Sequence, residues 1–342
     1  MPSASGLVSV WNCVYLQKRT TNMKLGIIGA GHIAIKMART LAGKPQDCEC
    51  HAVASRSLEK AQAFASEHRI PKAYGSYREL LEDPEVDLVY IATPHSHHFE
   101  HARMALECGK PCLVEKSFTM NAREAEELVS ISESKGVFLA EAIWTRYLPM
   151  SHKISELLAD GVIGEPKLLR ASLCYPVSYK ERIQRPELGG GALLDLGVYV
   201  LNFARMYFGS DIVRTVSSCV TGPTGVDLQE SISLTYGDGR MANLQASALC
   251  INDRQGIISG TEGSIIVDNV NCPSRIDVYR GYDLVQTIGL PSDFITGFEY
   301  QVFECRRCLS EGLVESPMMP HAEIVAVMRQ MDELRKEWGL MR

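Results

Sequence analysis

Apolar and polar positions along this chain follow two different textures, and the change comes near Trp144. Leu25 to Ile28 is an apolar run that predicts a buried strand, and it runs directly into Gly29-Ala30-Gly31. From His32 to Leu41 the apolar residues Ile33, Ala34, Met37, Ala38 and Leu41 recur at helical spacing. The same alternation continues with strands at Cys50–Ala54, Leu88–Ala92, Pro111–Glu115 and Val137–Glu141. Helices follow the first three of these, at Leu58–His68, about His98–Cys108 and Ala122–Ser134. Strands alternating with helices at short spacing predict a parallel sheet with helices on both faces. Ligand sites in such sheets lie beyond the C-terminal strand ends, where Gly29, Ser55, Thr93, Lys116 and Glu141 all fall.

Beyond Trp144 the texture turns strand-rich. Helices are predicted at Pro149–Ala159, Ala192–Phe208, Gly297–Leu309 and His321–Trp338. Between them come strand signals at Lys167–Tyr175, Val213–Val220, Gln229–Tyr236, Arg240–Ala248, Gln255–Gly260, Ser264–Asp268, Arg275–Tyr279 and Leu284–Gly289. Gly237-Asp238-Gly239 marks a turn between two of them. The fold class is therefore α/β: an N-terminal doubly wound parallel sheet plus a C-terminal α+β domain with a large, mostly antiparallel open sheet. One face of that open sheet is free to meet a partner subunit. Residues 1–22 precede the fold; no basic region leads them and Asn12 interrupts their apolar stretch, so they read as an extension rather than a secretory leader. The expected division is 1–22 extension, 23–144 dinucleotide-binding domain, and 145–342 substrate-binding and dimerisation domain.

Charge and composition narrow the function by exclusion. The net charge of −6, with no basic stripe interleaved with aromatics, argues against a nucleic-acid partner. No apolar run is long enough to cross a bilayer, which argues against a membrane protein. The eleven cysteines are scattered, which fits a reducing, cytoplasmic setting better than a disulfide framework. Cys48/Cys50 and Cys305/Cys308 are close pairs, but no second ligand pair stands near them. They read as structural, and no metal is implied.

The strand–glycine–helix opening is the pattern that binds dinucleotides. Gly29 permits a sharp turn, Gly31 lets backbone approach a pyrophosphate, and Ala34 still allows close helix–strand packing. The first helical amides, at His32 and Ile33, then face the phosphates with the positive end of the helix dipole. Ser55-Arg56-Ser57 follows the second strand about 25 residues further on. A carboxylate there would hold the ribose 2′-hydroxyl of NAD; its absence, with Arg56 present, favours the 2′-phosphate of NADP over NAD. Thr93-Pro94-His95-Ser96-His97-His98 follows the third strand. Its histidines have no acidic or cysteine partner close by, so the stretch reads as a loop lining the nicotinamide pocket rather than a zinc site. Glu115-Lys116 ends the fourth strand, where the lysine either shuttles a proton in the cleft or is an ordinary solvated side chain. Gly189-Gly190-Gly191 suits a close backbone approach to a ligand. Asp195 and Tyr199, four apart on one helical face, could together hold and deprotonate a hydroxyl; a capping Asp and a packed Tyr are the alternative.

Taken together, Gly29–Ala34, Glu115-Lys116, Glu141-Ala142-Ile143-Trp144-Thr145-Arg146-Tyr147 and Gly189–Tyr199 resemble the Gfo/Idh/MocA oxidoreductases, and within them the dimeric dihydrodiol dehydrogenases that also oxidise D-xylose with NADP. The resemblance runs from Met23 to the end. It implies a Rossmann domain with a C-terminal open sheet often used in dimerisation, and a homodimer acting on a sugar, polyol or diol. It implies that Lys116 is the catalytic lysine, that Tyr199 holds the position of a catalytic Tyr or His, and that Asp195 is the substrate-side aspartate. Trp144 and Arg146 correspond to pocket residues, and His98 to a histidine near the active site. Ser117 stands where the family has a proline whose peptide bond is typically cis. A non-proline cis bond costs about 2.5–4 kcal/mol, so the bond here is expected to relax to trans. The reading is an NADP-dependent oxidoreductase. An NAD-dependent polyol or inositol dehydrogenase and a non-catalytic NADP-sensing regulator on the same fold are the alternatives.

Overall fold

A computed structural model describes residues 22–44 and 47–341; the extension read at 1–22 lies, but for its last residue, outside the described residues. The first half runs β1 (Met23–Ile28), α1 (His32–Ala42), β2 (Cys48–Ala54), α2 (Leu58–His68), β3 (Lys72–Tyr74), α3 (Tyr77–Glu82), β4 (Leu88–Ile91), α4 (His95–Glu107), β5 (Cys112–Glu115), α5 (Ala122–Lys135) and β6 (Leu139–Ala142). Its six strands are all parallel, in the order β3-β2-β1-β4-β5-β6. Strands covered on both faces must be apolar throughout, and Leu25, Ile27, Val53, Val89, Leu113 and Val114 are fully buried. Strand order reverses between β1 and β4, which opens the crevice where such sheets take ligands.

In this half two elements, β3 and α3, leave no mark in the apolar pattern of the sequence. β3 has three half-buried residues and α3 only six, too few for a period to emerge. The legible signal was Ser76 three residues before Glu79: their side chains form a capping box at the start of α3.

The second half opens with a 3₁₀ turn (Trp144–Tyr147), then α6 (Pro149–Ala159), β7 (Pro166–Cys174), α7 (Glu181–Gln184), a 3₁₀ turn (Pro186–Leu188) and a π-turn (Leu193–Gly197) that runs into α8 (Val198–Phe208). Seven strands follow: β8 (Ile212–Thr221), β9 (Asp227–Tyr236), β10 (Met241–Ser247), β11 (Gly256–Gly260), β12 (Gly263–Val267), β13 (Arg275–Arg280) and β14 (Asp283–Gly289). α9 (Phe298–Ser310) and α10 (His321–Glu337) close the chain. The eight-stranded sheet has the order β14-β13-β12-β11-β7-β10-β9-β8, antiparallel except for β7 beside β10. The buried helix α8 covers one face: a Cβ on Gly256 of β11 would stand 2.4 Å from the Phe203 ring, so only glycine lets α8 sit this close. On the other face Leu168, Val216 and Met241 stand outward and exposed among the described residues, while Ser172, Cys174 and Ser247 at one end are buried.

The last two helices return to the first sheet. Asp332 of α10 accepts from the Ala122 amide at 2.7 Å, and Thr296, just before α9, hydrogen-bonds Thr40 of α1 at 2.7 Å. The cysteine pairs lie within regular elements, β2 and α9, and burial pushes the Cys50 and Cys308 thiols up to about 12. Among the described residues no helix is long and apolar enough to cross a membrane.

Candidate active site

The glycine turn at the end of β1 is shaped by its surroundings. Gly29 has φ +102° and donates to Ala54 O at 2.9 Å; a Cβ there would stand 2.9 Å from Ala92 O. Any other residue is both strained and crowded at this point. Gly31 caps α1 without a side-chain hydrogen bond, and a Cβ on it would meet nothing nearer than Ala92 O at 4.0 Å. Protein does not crowd the helix start at Gly31, and the amides of His32 and Ile33 stand at the positive end of an eleven-residue helix. Burial first, then the charges of Lys36, Lys180, Arg182 and Arg39, hold exposed His32 below the usual imidazole range. The rim of the crevice is electropositive. A pyrophosphate fits this cradle.

Ser55 at the end of β2 is buried and donates its amide to Tyr74 O at 3.2 Å, and Arg56 follows, exposed. Past β4, helix α4 starts at His95 rather than His98, because Pro94, with φ fixed at −62°, leads directly into it. The histidines therefore occupy a helix turn, not the expected loop, and they diverge. Nδ1 of His95 donates to Gly189 O at 2.9 Å; burial, then His98 and Lys116, hold this imidazole down to about 3. His98 is fully buried, with Nδ1 2.8 Å from Ser117 O and Nε2 2.8 Å from Thr93 O. Burial holds it down to about 4, so the neutral ring donates to one carbonyl at a time. His98 thus joins the ends of β4 and β5 from behind the crevice wall.

Lys116 leaves the end of β5 into the centre of the site. Its Nζ lies 2.8 Å from Asp195 Oδ1 and 2.8 Å from Asp195 O, and 5.1 Å from the Tyr199 ring centroid. The second Asp195 oxygen accepts from Arg182 Nη2 at 3.0 Å. Burial opposes the charge of Asp195, but Lys116 and Arg182 outweigh it and hold the carboxyl well below the usual carboxylate range. Tyr199 Oη accepts from Trp144 Nε1 at 3.1 Å, which leaves its own proton available to another acceptor. Burial, then Glu115 and Asp195, push this phenol well above its ordinary value. Trp144 is fixed by stacking on Phe298, with ring centroids 4.3 Å apart and planes at 9°. Beneath Lys116, burial pushes Glu115 up to about 7; its carboxyl is met by the Tyr90 hydroxyl and by the Lys116 amide at 3.2 Å. The spacing of Asp195 and Tyr199 spans a π-turn entering α8, and both residues still face Lys116.

Three further expectations are corrected. The Lys116–Ser117 peptide bond is cis, not trans. Ser117 is fully buried, its hydroxyl donates to Leu194 O at 2.6 Å, and its carbonyl meets His98, so partners on both sides hold this backbone. The glycine triplet makes way for protein, not ligand. Added Cβ atoms would stand 2.7 Å from His95 Cβ at Gly189, 2.5 Å from Ile183 O at Gly190 and 2.4 Å from Asp227 Oδ1 at Gly191. Arg146 turns away from Lys116, donating to Asn202 Oδ1 at 2.6 Å and Glu323 Oε1 at 2.7 Å; Arg205 grips the same Glu323. It fastens α10 to the turn that carries Trp144.

Sequence reasoning passed over Arg182 and Tyr90. Arg182 lies in an aperiodic stretch among other charges, with no signal of its own. Tyr90 was legible indirectly, since the carboxylate at the end of a buried strand, Glu115, requires a donor.

Residues 23–142 match the family model described as an oxidoreductase family with an NAD-binding Rossmann fold, and residues 151–266 match the GFO/IDH/MocA C-terminal domain. Trans-1,2-dihydrobenzene-1,2-diol dehydrogenase of Danio rerio is 37% identical over 327 residues, 93% of this chain and 98% of its own. The protein of that name from Mus musculus is 35% identical over 324 residues, 93% and 97% of the two chains. Among solved structures, KijD10, a 3-ketoreductase from Actinomadura kijaniata in complex with NADP and TDP-benzene, has a TM-score of 0.83 at 26% identity, covering 92% of this chain and 98% of its own. Levoglucosan dehydrogenase in complex with NADH and levoglucosan shares the fold, with a TM-score of 0.81 at 21% identity over 93% and 97% of the two chains.

Proposed function

The chain belongs to the Gfo/Idh/MocA oxidoreductase family, and from that premise we propose that it interconverts a hydroxyl and a carbonyl on a sugar or cyclic trans-diol, with NADP as its hydride partner. The observation that carries this reading is Lys116, held by Asp195 and facing Tyr199, at the same sheet edge as the open glycine turn. The relatives' names point to diols, and KijD10 is a ketoreductase seen with NADP.

Gly29, Gly31 and the first amides of α1 would hold the pyrophosphate, and Arg56 the 2′-phosphate. When bound, the nicotinamide supplies a hydride acceptor or donor. The chain's own residues handle the proton. In the reducing direction the Lys116 ammonium gives a proton from Nζ to the substrate oxygen as charge develops there; in the oxidising direction its amine form takes that proton back. Asp195 orients Lys116 and supports its positive charge. Tyr199, a phenol throughout the neutral range, donates its hydroxyl hydrogen to the same oxygen while Trp144 holds its lone pair. A panel of sugars and cyclic diols, each offered with NADP and with NAD, tests the reading: turnover of at least one with NADP is expected, and binding of NADP without turnover of any would favour the regulatory alternative.

Arg56 carries the cofactor preference. Arg56→Ala is expected to weaken NADP by roughly 1.5–3 kcal/mol, the scale of a charge-assisted contact, and to leave NAD nearly unchanged. Equal losses for both in a binding titration would reject this role.

The homodimer reading rests on the exposed part of the outer face of the eight-stranded sheet. Leu168, Val216, Val220 and Met241 are about 40–50% exposed there, amid Ser231, Asn243 and Gln245. A second copy across a two-fold axis would cover it. Light scattering at micromolar concentration is expected to give a dimer, and Val216→Asp to shift it toward monomer; a monomeric native chain would contradict the reading.

A further inference from the structure

At the opposite edge of the first sheet from the crevice, three side chains from separate parts of the chain converge. His51 comes from the middle of β2, and Asp83 and Glu85 from the turn between α3 and β4. His51 is 95% buried, yet its Nε2 makes no hydrogen bond. That nitrogen points at two carboxylate oxygens, Asp83 Oδ2 at 3.8 Å and Glu85 Oε2 at 3.6 Å. One atom from each of the three residues lies within 4.8 Å of the others. Tetrahedral ligands about 2.1 Å from a zinc ion stand about 3.4 Å from one another, so the two nitrogen–oxygen separations are close to those of a metal site. A buried imidazole nitrogen that faces two oxygens without hydrogen-bonding either is left unsatisfied.

The surroundings have the form that metal sites use. On the far side of the ring, His51 Nδ1 lies 3.7 Å from Glu49 Oε1, beyond hydrogen-bond distance but on the side where a carboxylate orients a metal-binding imidazole. Asp83 is braced by the Tyr74 hydroxyl at 2.9 Å and by the Glu85 amide at 2.9 Å. Burial works against the charge of Asp83, but the Glu85 amide and Lys72 hold its carboxyl down to about 2, and Lys24 and Lys72 hold Glu85 there too. Both would meet a cation without first losing a proton. Glu85 is about half exposed, which leaves room for water as a fourth ligand.

One cation is already present. The Lys72 ammonium lies 2.9 Å from Asp83 Oδ2 and 2.5 Å from Glu85 Oε2, the same two oxygens that face His51. Lys24 takes only the other oxygen of Glu85. The Lys72 ammonium donates to these two carboxylates and makes no hydrogen bond to His51 Nε2, which leaves the imidazole unmet. The Lys72 side chain is one-third exposed, so a cation that displaced it would release the ammonium to water.

We propose that His51, Asp83 and Glu85 form a site for a zinc-class divalent cation, with the Lys72 ammonium as its built-in competitor. The ion would staple β2 to the α3–β4 turn, remote from Lys116. Nitrogen and oxygen donors in this number suit zinc better than calcium or magnesium, which take oxygen ligands alone.

The test is calorimetric titration of zinc chloride into chelator-treated full-length protein, with magnesium as control. One zinc per chain with micromolar affinity is expected, and a higher melting temperature when loaded. His51→Ala and Glu85→Gln should each weaken binding tenfold or more; Glu85→Gln changes an exposed side chain, so it keeps the test sound if His51→Ala folds poorly. Lys72→Met should tighten binding about tenfold by removing the competing charge. That gain separates a built site from adventitious binding at the surface or at cysteines, which Lys72 would not affect. No saturable zinc binding, equal binding by Glu85→Gln, or no gain in Lys72→Met would each overturn the proposal.

Discussion

Lys116→Met is expected to bind NADP with nearly native affinity while losing turnover by roughly 10²–10⁴-fold, the scale of general acid–base catalysis. Methionine keeps an unbranched side chain of similar reach along the wall of the crevice, so the packing around Tyr199 survives. It removes the charge and the donors that meet Asp195 at 2.8 Å. The pyrophosphate cradle is built from Gly29, Gly31 and backbone amides of α1, none of which depends on Lys116. The expected signature is therefore a large fall in kcat with an unchanged NADP dissociation constant in a fluorescence titration. Near-native turnover on the best substrate would make the lysine structural only.

The second large effect belongs to Asp195. Its carboxylate stands between Lys116 and Arg182, and it is 5% exposed. Asp195→Asn keeps the shape and removes the anion, which leaves the largely buried Lys116 charge without its counter-ion. Breaking a buried pair from one side costs about 3–5 kcal/mol, about 4–7 °C in melting temperature for a chain this size. Turnover should fall by roughly 10²-fold well below that temperature, because the lysine loses its orientation as well as its compensation. The double variant Lys116→Met with Asp195→Asn removes both charges, and it should melt higher than Asp195→Asn alone. Additive losses would show that the two residues act independently. The sign with pH follows from the depressed carboxyl: the stability it gives is present above about pH 4 and is lost only as pH falls through the folded-state value. Asp195→Asn should lack that acid-sensitive component.

Periodicity carried most of the architecture, because strands buried on both faces and helices with one apolar stripe leave different repeats. β1, the glycine turn and α1 were legible this way, as was the change to an antiparallel sheet after Trp144. What failed was short or made by distant partners. β3 and α3 are too brief for a repeat. The Gly189–Gly191 triplet reads from sequence as room for a ligand, whereas the Ile183 backbone just upstream and the distant side chains of His95 and Asp227 fill it. Arg146 carried a pocket role by its place beside Trp144, yet Asn202 and Glu323 draw its guanidinium elsewhere. Lys116, Asp195 and Tyr199 were legible as residue types at strand and helix positions. Arg182, which completes the charge arrangement at Asp195, was not, since nothing local distinguishes a functional arginine from a solvated one.

Transfer of isotope tests the central claim most directly. A substrate from the diol and sugar panel, deuterated at the carbinol carbon, would be turned over with NADP and the NADPH analysed by mass spectrometry. Direct hydride transfer predicts deuterium in the nicotinamide ring of the NADPH formed by the native chain, and strongly reduced NADPH formation with Lys116→Met. NADPH that carries no deuterium, or bound NADP that no substrate reduces, would contradict the assignment of this site to CH–OH oxidation.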